Sequence, residues 1–383
     1  MKKYGTLYLF AAALIGAGCD NLPNETANST TPDTRSQQTI TSEGKELIPG
    51  QYIVVLKDNI SQNAVESVAN QMAATHSAAV DRVFKNAVKG FAARMSPQQA
   101  DALAHDPNVK FIEQDQIMRI SSNGSGSGDA IAAQSTPWGV TRIGGAGDGT
   151  GKVAWIIDTG IDLTHPDLNV DRTRSRNFST GSSANDGNGH GTHVAGTIAA
   201  KNNTVGVIGV AAGASVVAVR VLNNQGSGSY SAIISGVDYV AANAAAGDVA
   251  NMSLGGSAST ALDNAVTNLA SKGVKVVLAA GNESTSATTK SPARVNGTNI
   301  YTISAIGSNG AFASFSNYGN PPVDYAAPGV NVLSLWKGGG TNTISGTSMA
   351  APHAAGVLLL GSATTDGNAT SDPDGTADPI IHR

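Results

Sequence analysis

The spacing of apolar and polar residues divides the chain into four stretches. Residues 7–18 are almost wholly apolar and follow the basic pair Lys2 and Lys3, a pattern too short to span a bilayer well and typical of an export signal. Residues 21–49 are rich in Thr, Ser, Asn and Gln with no hydrophobic period, which predicts a flexible spacer. The third stretch opens with Tyr52-Ile53-Val54-Val55-Leu56, a strand, and continues with Val65, Val68 and Met72 at helical spacing through about residue 76. Further strands are expected over residues 80–84, 88–95 and 109–120. Ser96-Pro97-Gln98-Gln99 combines an N-cap, a proline at the first helical position and a glutamine three residues after the cap, so a capping box opens a short helix there. The order β-α-β-β-α-β is the split βαβ plan of a small α+β, ferredoxin-like unit. It ends at a Ser/Gly run, residues 121–128, read as a linker open to proteolysis.

Beyond about Ala133 the period changes. Residues 153–157, 216–222, 249–254 and 274–280 are near-continuous apolar runs, as expected of parallel strands buried on both faces. Helical patterns over residues 190–200, 229–246 and 261–273 lie between them, the last ending on glycine. The fourth stretch is therefore expected to be a doubly wound α/β domain with a mostly parallel sheet flanked by helices. In such sheets ligands bind beyond the carboxyl ends of the strands, so polar residues just past each apolar run are where chemistry is sought.

Composition narrows the function classes. Twenty-four basic and 28 acidic residues give a net charge of −4 with no Lys/Arg block, which argues against nucleic-acid binding. The only cysteine is Cys19, so no intramolecular disulfide and no cysteine-based zinc site can form. No run beyond residue 18 reaches the roughly 18 apolar residues of a membrane helix.

The positions past the strands hold a coherent set. Asp158 follows Trp155-Ile156-Ile157, His190 opens a helix in Gly189-His190-Gly191-Thr192-His193, Asn282 follows Ala279-Ala280-Gly281, and Ser348 begins the helix of Gly346-Thr347-Ser348-Met349-Ala350. A serine hydroxyl is a poor nucleophile until a base takes its proton, and an imidazole base needs a carboxylate to fix its tautomer. Asp158, His190 and Ser348 can fill those roles. Asn282 and the Ser348 backbone N–H could meet the oxyanion that forms. A competing metallohydrolase reading would use Asp158, His190 and His193 as ligands, but His-Gly-Thr-His lacks the glutamate base of His-Glu-x-x-His. A third reading is a binding module whose prosegment never leaves.

Asp158-Thr159-Gly160-Ile161-Asp162 with His165-Pro166-Asp167, His190-Gly191-Thr192-His193, and Gly346-Thr347-Ser348-Met349-Ala350 resemble the three signatures of subtilisin-like serine peptidases, in the order aspartate, histidine, serine. The similarity covers most of residues 133–361 and is nearest the subtilisin and proteinase K branches. It implies an exported, monomeric endopeptidase acting on proteins and peptides, with residues 50–120 as an inhibitory prodomain, 121–132 as linker and 133–383 as catalytic domain. Cleavage is then expected near Ala132. Substrate would lie as an added strand between Gly226, Gly228 and Tyr230 on one side and Ser253, Leu254, Gly255 and Gly256 on the other. Leu254, Ala280 and Gly281 would line the first pocket, with Glu283 near its mouth, which implies broad acceptance of apolar or aromatic residues. By the same resemblance a structural Ca2+ would be held by the side chains of Gln134, Asp167 and Asn203 and the carbonyls of Lys201, Val205 and Val207. His193 and His353 are read as structural. The first 19 residues resemble a lipoprotein signal, with Cys19 as the lipidated residue and residues 20–49 as spacer; the membrane is contacted only there. After about Ser362 the chain turns polar and rich in Asp, Gly and Pro, which reads as a solvated tail in which Asp366, Asp372, Asp374 and Asp378 could form a loose metal site and residues 378–383 a short edge strand.

Overall fold

The computed structural model describes residues 39–40, 44–120 and 128–383. Cys19 and its signal, most of the spacer and linker residues 121–127 lie outside the described residues. No described helix is long and apolar enough to cross a membrane.

The amino-terminal unit runs β1 (Glu46–Leu56), α1 (Val65–Thr75), β2 (Ala79–Phe84), β3 (Gly90–Arg94), α2 (Pro97–Ala104) and β4 (Val109–Arg119). Its antiparallel strands lie in the order β4-β1-β3-β2. Val65, Ala69 and Met72 of α1 and Leu103 of α2 pack on Val54, Leu56 and Phe91 of the sheet. The capping box forms: Gln99 N–H donates to Ser96 Oγ at 3.2 Å and Ser96 N–H to Gln99 Oε1 at 2.7 Å, a cap worth about 0.5–2 kcal/mol. β1 starts at Glu46, inside the stretch expected to be spacer. Glu46 and Leu47 pair with Ile117 and Gln116 across a register shift, and Arg119 grips Glu46 at 2.7 and 3.0 Å. Cross-strand pairing, rather than local hydrophobicity, makes this part of the strand.

The larger unit contains β5 (Val153–Asp158), α3 (His190–Ala199), β6 (Ser215–Arg220), β7 (Ser227–Ser229), α4 (Tyr230–Asn243), β8 (Val249–Met252), α5 (Thr260–Ser271), β9 (Lys275–Ala279), β10 (Ile300–Ile306), β11 (Val323–Pro328), β12 (Val332–Trp336), β13 (Gly340–Ile344), α6 (Thr347–Leu360), β14 (Thr364–Asn368) and β15 (Pro379–His382). The main sheet has the order β14-β15-β11-β10-β9-β8-β5-β6, with two-residue strands beyond β6. Only the β14–β15 pair is antiparallel. Strand alternation divides β5 between two cores. Ala154 and Ile156 face α3 and α6, while Trp155 and Ile157 face α4 and α5. α6 is buried on almost every side, as its unbroken apolar sequence requires.

The carboxyl-terminal stretch is not a solvated tail. β15 pairs with β11 through Ile380 and Ala326, and Ile380 and Ile381 are buried. Two adjacent isoleucines anchor the hairpin, a signal diluted by the polar residues around them. The acidic residues brace the turns: Asp366 pairs with Arg142 at 2.9 Å, Asp374 accepts the Thr376 N–H at 2.7 Å, and Asp378 accepts the Ser304 hydroxyl. Among the described residues no three His, Cys, Asp or Glu side chains are grouped to hold a metal ion.

Candidate active site

Asp158 ends β5 and His190 opens α3, and both side chains are fully buried. Their separation is 2.8 Å from Nδ1 to Oδ1 and 3.0 Å to Oδ2. A carboxylate accepts, so Nδ1 carries the proton and Nε2 is the basic nitrogen. Two glycines permit this approach. A Cβ on Gly191 would fall 2.1 Å from the Gly160 carbonyl oxygen, and one on Gly189, at φ +116°, would fall 2.4 Å from the Trp336 ring. Burial alone pushes the His190 pKa down, but the charge and hydrogen bond of Asp158, with Asp186 adding, outweigh it and leave the net value raised.

Ser348 is the second residue of α6, where backbone N–H groups have no partner within the helix. Its hydroxyl donates to the Ser253 carbonyl at 3.2 Å, and the Ser253 hydroxyl returns a bond to the Ser348 carbonyl at 2.8 Å. His190 Nε2 is buried and has no hydrogen-bond partner among the described residues. Asn282 Oδ1 accepts from the Thr347 N–H at 2.8 Å and its hydroxyl at 2.9 Å, which fixes the amide plane beside Ser348. Sequence reasoning missed two supports here. Thr347 orients Asn282, and Asn251 donates to the Ser253 hydroxyl at 2.8 Å. The first could have been suspected from its place within Gly346-Thr347-Ser348, whereas Asn251 carried no signal.

The last strand of the amino-terminal unit lies in the cleft. β4 pairs antiparallel with β7, matching Arg119 to Ser227, Met118 to Gly228 and Ile117 to Ser229, and the Ile120 N–H donates to the Gly226 carbonyl at 3.0 Å. The Ile120 side chain occupies the space over Gly226, where a Cβ would sit 2.6 Å from it. Arg119 and Ile120 share one recess with Ser253, Leu254, Gly255, Ala279, Gly281, Asn282, Glu283, Thr347 and Ser348. Ala280 is buried outside that lining and Ala279 takes its place, because successive strand residues face opposite ways. Tyr230, expected on the cleft wall, is wholly buried: its hydroxyl donates to the Ser257 carbonyl at 2.6 Å and lies 2.5 Å from where a Cβ on Gly256 would be. It lies in one apolar cluster with Met118 of β4, so the strand in the cleft contributes to covering it. Glu283 accepts from Asn317 Nδ2 at 2.6 Å and stands 3.7 Å from Lys290 Nζ.

Carboxylates complete the contact between the units. Glu113 accepts the Ser259 hydroxyl and the N–H groups of Thr260 and Ala261 at the start of α5, at 3.1 and 3.3 Å for the latter two. Asp115 accepts the Ser231 N–H at the start of α4 at 3.1 Å. In return, Asp238 of α4 accepts the N–H groups of Lys85 and Ala87 at 3.0 and 2.8 Å. Burial raises the pKa of Glu113 and pushes that of Asp115 up to about 6.

The six residues expected to hold Ca2+ are also together. Gln134 Nε2 lies 2.8 Å from the Lys201 carbonyl and 3.5 Å from that of Val207, Asn203 Nδ2 is 2.6 Å from Asp167 Oδ1, and bridges pair Ala133 with Val205 and Ser135 with Val207. Asp167 is fully buried. The donor set suits a hard cation once the two amides turn to present oxygen, an exchange that leaves the side-chain outline unchanged. His193 and His353 are buried, bonded to the carbonyls of Val332 and Met349 at 3.0 and 2.8 Å, and burial pushes their pKa values down to about 3 and about 4.

A cleft of this kind, with its own amino-terminal unit as occupant, defines a serine protease of the subtilisin class. The chain belongs to the subtilase family, whose model matches residues 149–370, and residues 51–121 match the peptidase inhibitor I9 family. It is 40 % identical over 363 residues to alkaline serine exoprotease A of Vibrio alginolyticus, covering 88 % of this chain and 66 % of that protein. With the extracellular serine proteinase of Thermus sp. (strain Rt41A) it shares 38 % identity over 391 residues, covering 94 % of this chain and 90 % of that one. The crystal structure of a cold-adapted subtilisin-like serine proteinase matches with a TM-score of 0.56 and 39 % identity, over 64 % of this chain and 97 % of that one.

Proposed function

We propose that this subtilisin-like serine protease is an exported, monomeric endopeptidase, made as a zymogen, that cleaves proteins and peptides through Asp158, His190 and Ser348. The Ser348 hydroxyl swings from the Ser253 carbonyl toward His190 Nε2, gives up its proton there, and its Oγ attacks the substrate carbonyl carbon. Asp158 holds the imidazole in the required tautomer and stabilises its protonated form. The oxyanion is met by the Asn282 amide and the Ser348 N–H. The C–N bond then breaks, Nε2 protonates the leaving amine, and a water deprotonated by the same nitrogen releases the acyl group. Leu254, Ala279 and Gly281 give the recess an apolar lining, and Lys290 offsets the charge of Glu283, which supports broad preference for apolar and aromatic residues.

One observation carries this reading: the prosegment strand is paired with residues 226–229 and ends beside Ser348, the pose a peptide substrate would take. Self-cleavage at the recess then falls after Ile120 and before Gly128. Residues near Ala132, the site expected from sequence, are engaged elsewhere, with Asp129 bridged to Thr341 and the Ala132 carbonyl accepting the Gly206 N–H at 2.8 Å. Trimming toward Ala133 would follow. A metal-dependent reading through His193 gains no support from the grouping of side chains, since among the described residues no three His, Cys, Asp or Glu side chains are placed to hold a metal ion. The deciding experiment replaces Ser348 with alanine. Peptide hydrolysis, fluorophosphonate labelling and self-cleavage should all disappear while the chain stays folded; persistent turnover would reject the triad.

Ca2+ at Gln134, Asp167, Lys201, Asn203, Val205 and Val207 is part of this proposal, supplying charge that offsets the buried carboxylate and fixes the loop after α3. Export with Cys19 as a lipidated anchor of the precursor is another part, tested by mass spectrometry of the mature and precursor amino termini.

A further inference from the structure

Asp186 is a buried carboxylate that the proposed chemistry leaves unused. It lies in the loop before α3, is 3 % exposed, and accepts five hydrogen bonds. Oδ1 receives the Thr159 hydroxyl and the N–H groups of Asn188 and Gly189, each at 2.9 Å. Oδ2 receives the Thr192 N–H at 2.9 Å and its hydroxyl at 2.7 Å. The two threonines belong to the segments that carry the acid and the base: Thr159 follows Asp158, and Thr192 lies two residues after His190. Each threonine oxygen also accepts a bond, Thr159 Oγ1 from the Gly191 N–H and Thr192 Oγ1 from the Asp162 N–H, both at 2.9 Å. The Thr159 N–H in turn donates to Asp158 Oδ1 at 2.6 Å. One carboxylate thus joins the end of β5, the turn after it and the first turn of α3. Capping alone would need only the backbone donors.

We propose that Asp186 is a positioning residue of the active site, holding the His190 imidazole against Asp158 and lending negative charge to the imidazolium that forms during acyl transfer. The inference rests on the triad reading above. Asn would offer one acceptor oxygen where two now serve five donors, so the carboxylate is what the site requires. The charged and titratable groups about the imidazole are Asp158 on β5, Asp186, His193 one turn along α3, His353 on α6 facing His193, and Arg220 on β6 near Asp186. Both other histidines are held neutral by burial at neutral pH. Arg220 is spread over the carbonyls of Ser183 and Asn185 at 3.2 and 2.7 Å. Burial raises the Asp186 pKa while its five donors favour the ionised form, and as a carboxylate it adds to Asp158 in favouring protonated His190.

The test measures kcat, KM and the pH profile of kcat/KM for Asp186→Asn, beside Ser348→Ala. A lost positioning contact should lower kcat by about 10²-fold, the cost of displacing reacting groups by about 1 Å, with little change in KM. The acid limb of the profile should move to lower pH, because the imidazole loses a neighbouring negative charge. An unchanged kcat overturns the inference. So does a lowered kcat with an unmoved acid limb, since a helix cap would produce that. Where Asp186→Asn yields no folded enzyme, Thr192→Ser is compared with Thr192→Val: serine keeps the bridging hydroxyl and should turn over about tenfold faster, the scale of one net hydrogen bond. Equal rates overturn the inference. Turnover by Ser348→Ala would instead sink the triad reading, whereas inactive Ser348→Ala with native-like Asp186→Asn removes only the role of Asp186.

Discussion

Thirty-two residues separate Asp158 from His190, and the contact between them depends on atoms that are missing as much as on atoms present. Gly191 keeps α3 within reach of β5, and Thr347 keeps Asn282 turned toward the site of attack. These roles imply a ranking. Asn282→Ala should lose about 10²- to 10³-fold in kcat, the usual worth of one oxyanion donor. His190→Ala should lose far more, about 10⁶-fold by comparison with the value known for subtilisin. Steady-state kinetics on one peptide substrate checks the order, and a more damaging Asn282→Ala would contradict it. The pH dependence has a definite sign. His190 must be neutral to accept a proton, and its pKa is raised by Asp158, so kcat/KM should climb with pH through a midpoint above the ordinary imidazole value of about 6.5. A flat profile between pH 5 and 9 would exclude a histidine base.

At the scale of elements, α4 and α5 each begin on a carboxylate that belongs to the prosegment. Asp115 offers a favourable charge to a helix start, yet burial raises its pKa to about 6 against about 3.9 for a free aspartate. A group whose pKa is higher when docked favours docking below its free value and loses that contribution as pH rises through its docked value. The cleaved prosegment should therefore leave faster as pH goes from 5 to 7, by about tenfold from this group. Asp115→Asn should flatten the trend in a time course of activity after self-cleavage; an equally steep trend would rule the residue out. These contacts also mark where sequence reading stops. The apolar runs located β5, β6, β8 and β9 to within a few residues but not β10 and β11, and the three motifs singled out Asp158 and His190, which the fold brings to 2.8 Å, and Ser348 in the neighbouring recess, because periodicity and motif chemistry are local. Thr347, Asn251 and Asp186 act only through partners brought near by folding. The short strand expected over residues 378–383 forms as β15, but its place beside β11 with β14 on its other side rests on long-range pairing that no local pattern carries.

For the whole molecule, a single cysteine, Cys19, rules out an intramolecular disulfide, so stabilisation falls to packing and to the proposed Ca2+. Chelation should lower the midpoint of thermal inactivation of the mature enzyme, and Asp167→Asn should abolish the response to added Ca2+; an unaltered response would place the ion elsewhere. Activity measured at once after chelation should persist, since none of the six residues touches the reacting atoms. The ladder between β4 and β7 has a wider consequence. It fixes the direction in which a peptide would enter, and the pleat alternates its side chains: Met118 is buried beside Gly256 and Ile120 packs over Gly226, while Arg119 between them pairs with Glu46 and lines the recess that holds Ser348. On the proposed endopeptidase reading a target sequence would be sampled in steps of two along this ladder, so libraries varied at alternate sites should recover most of the selectivity that the ladder carries.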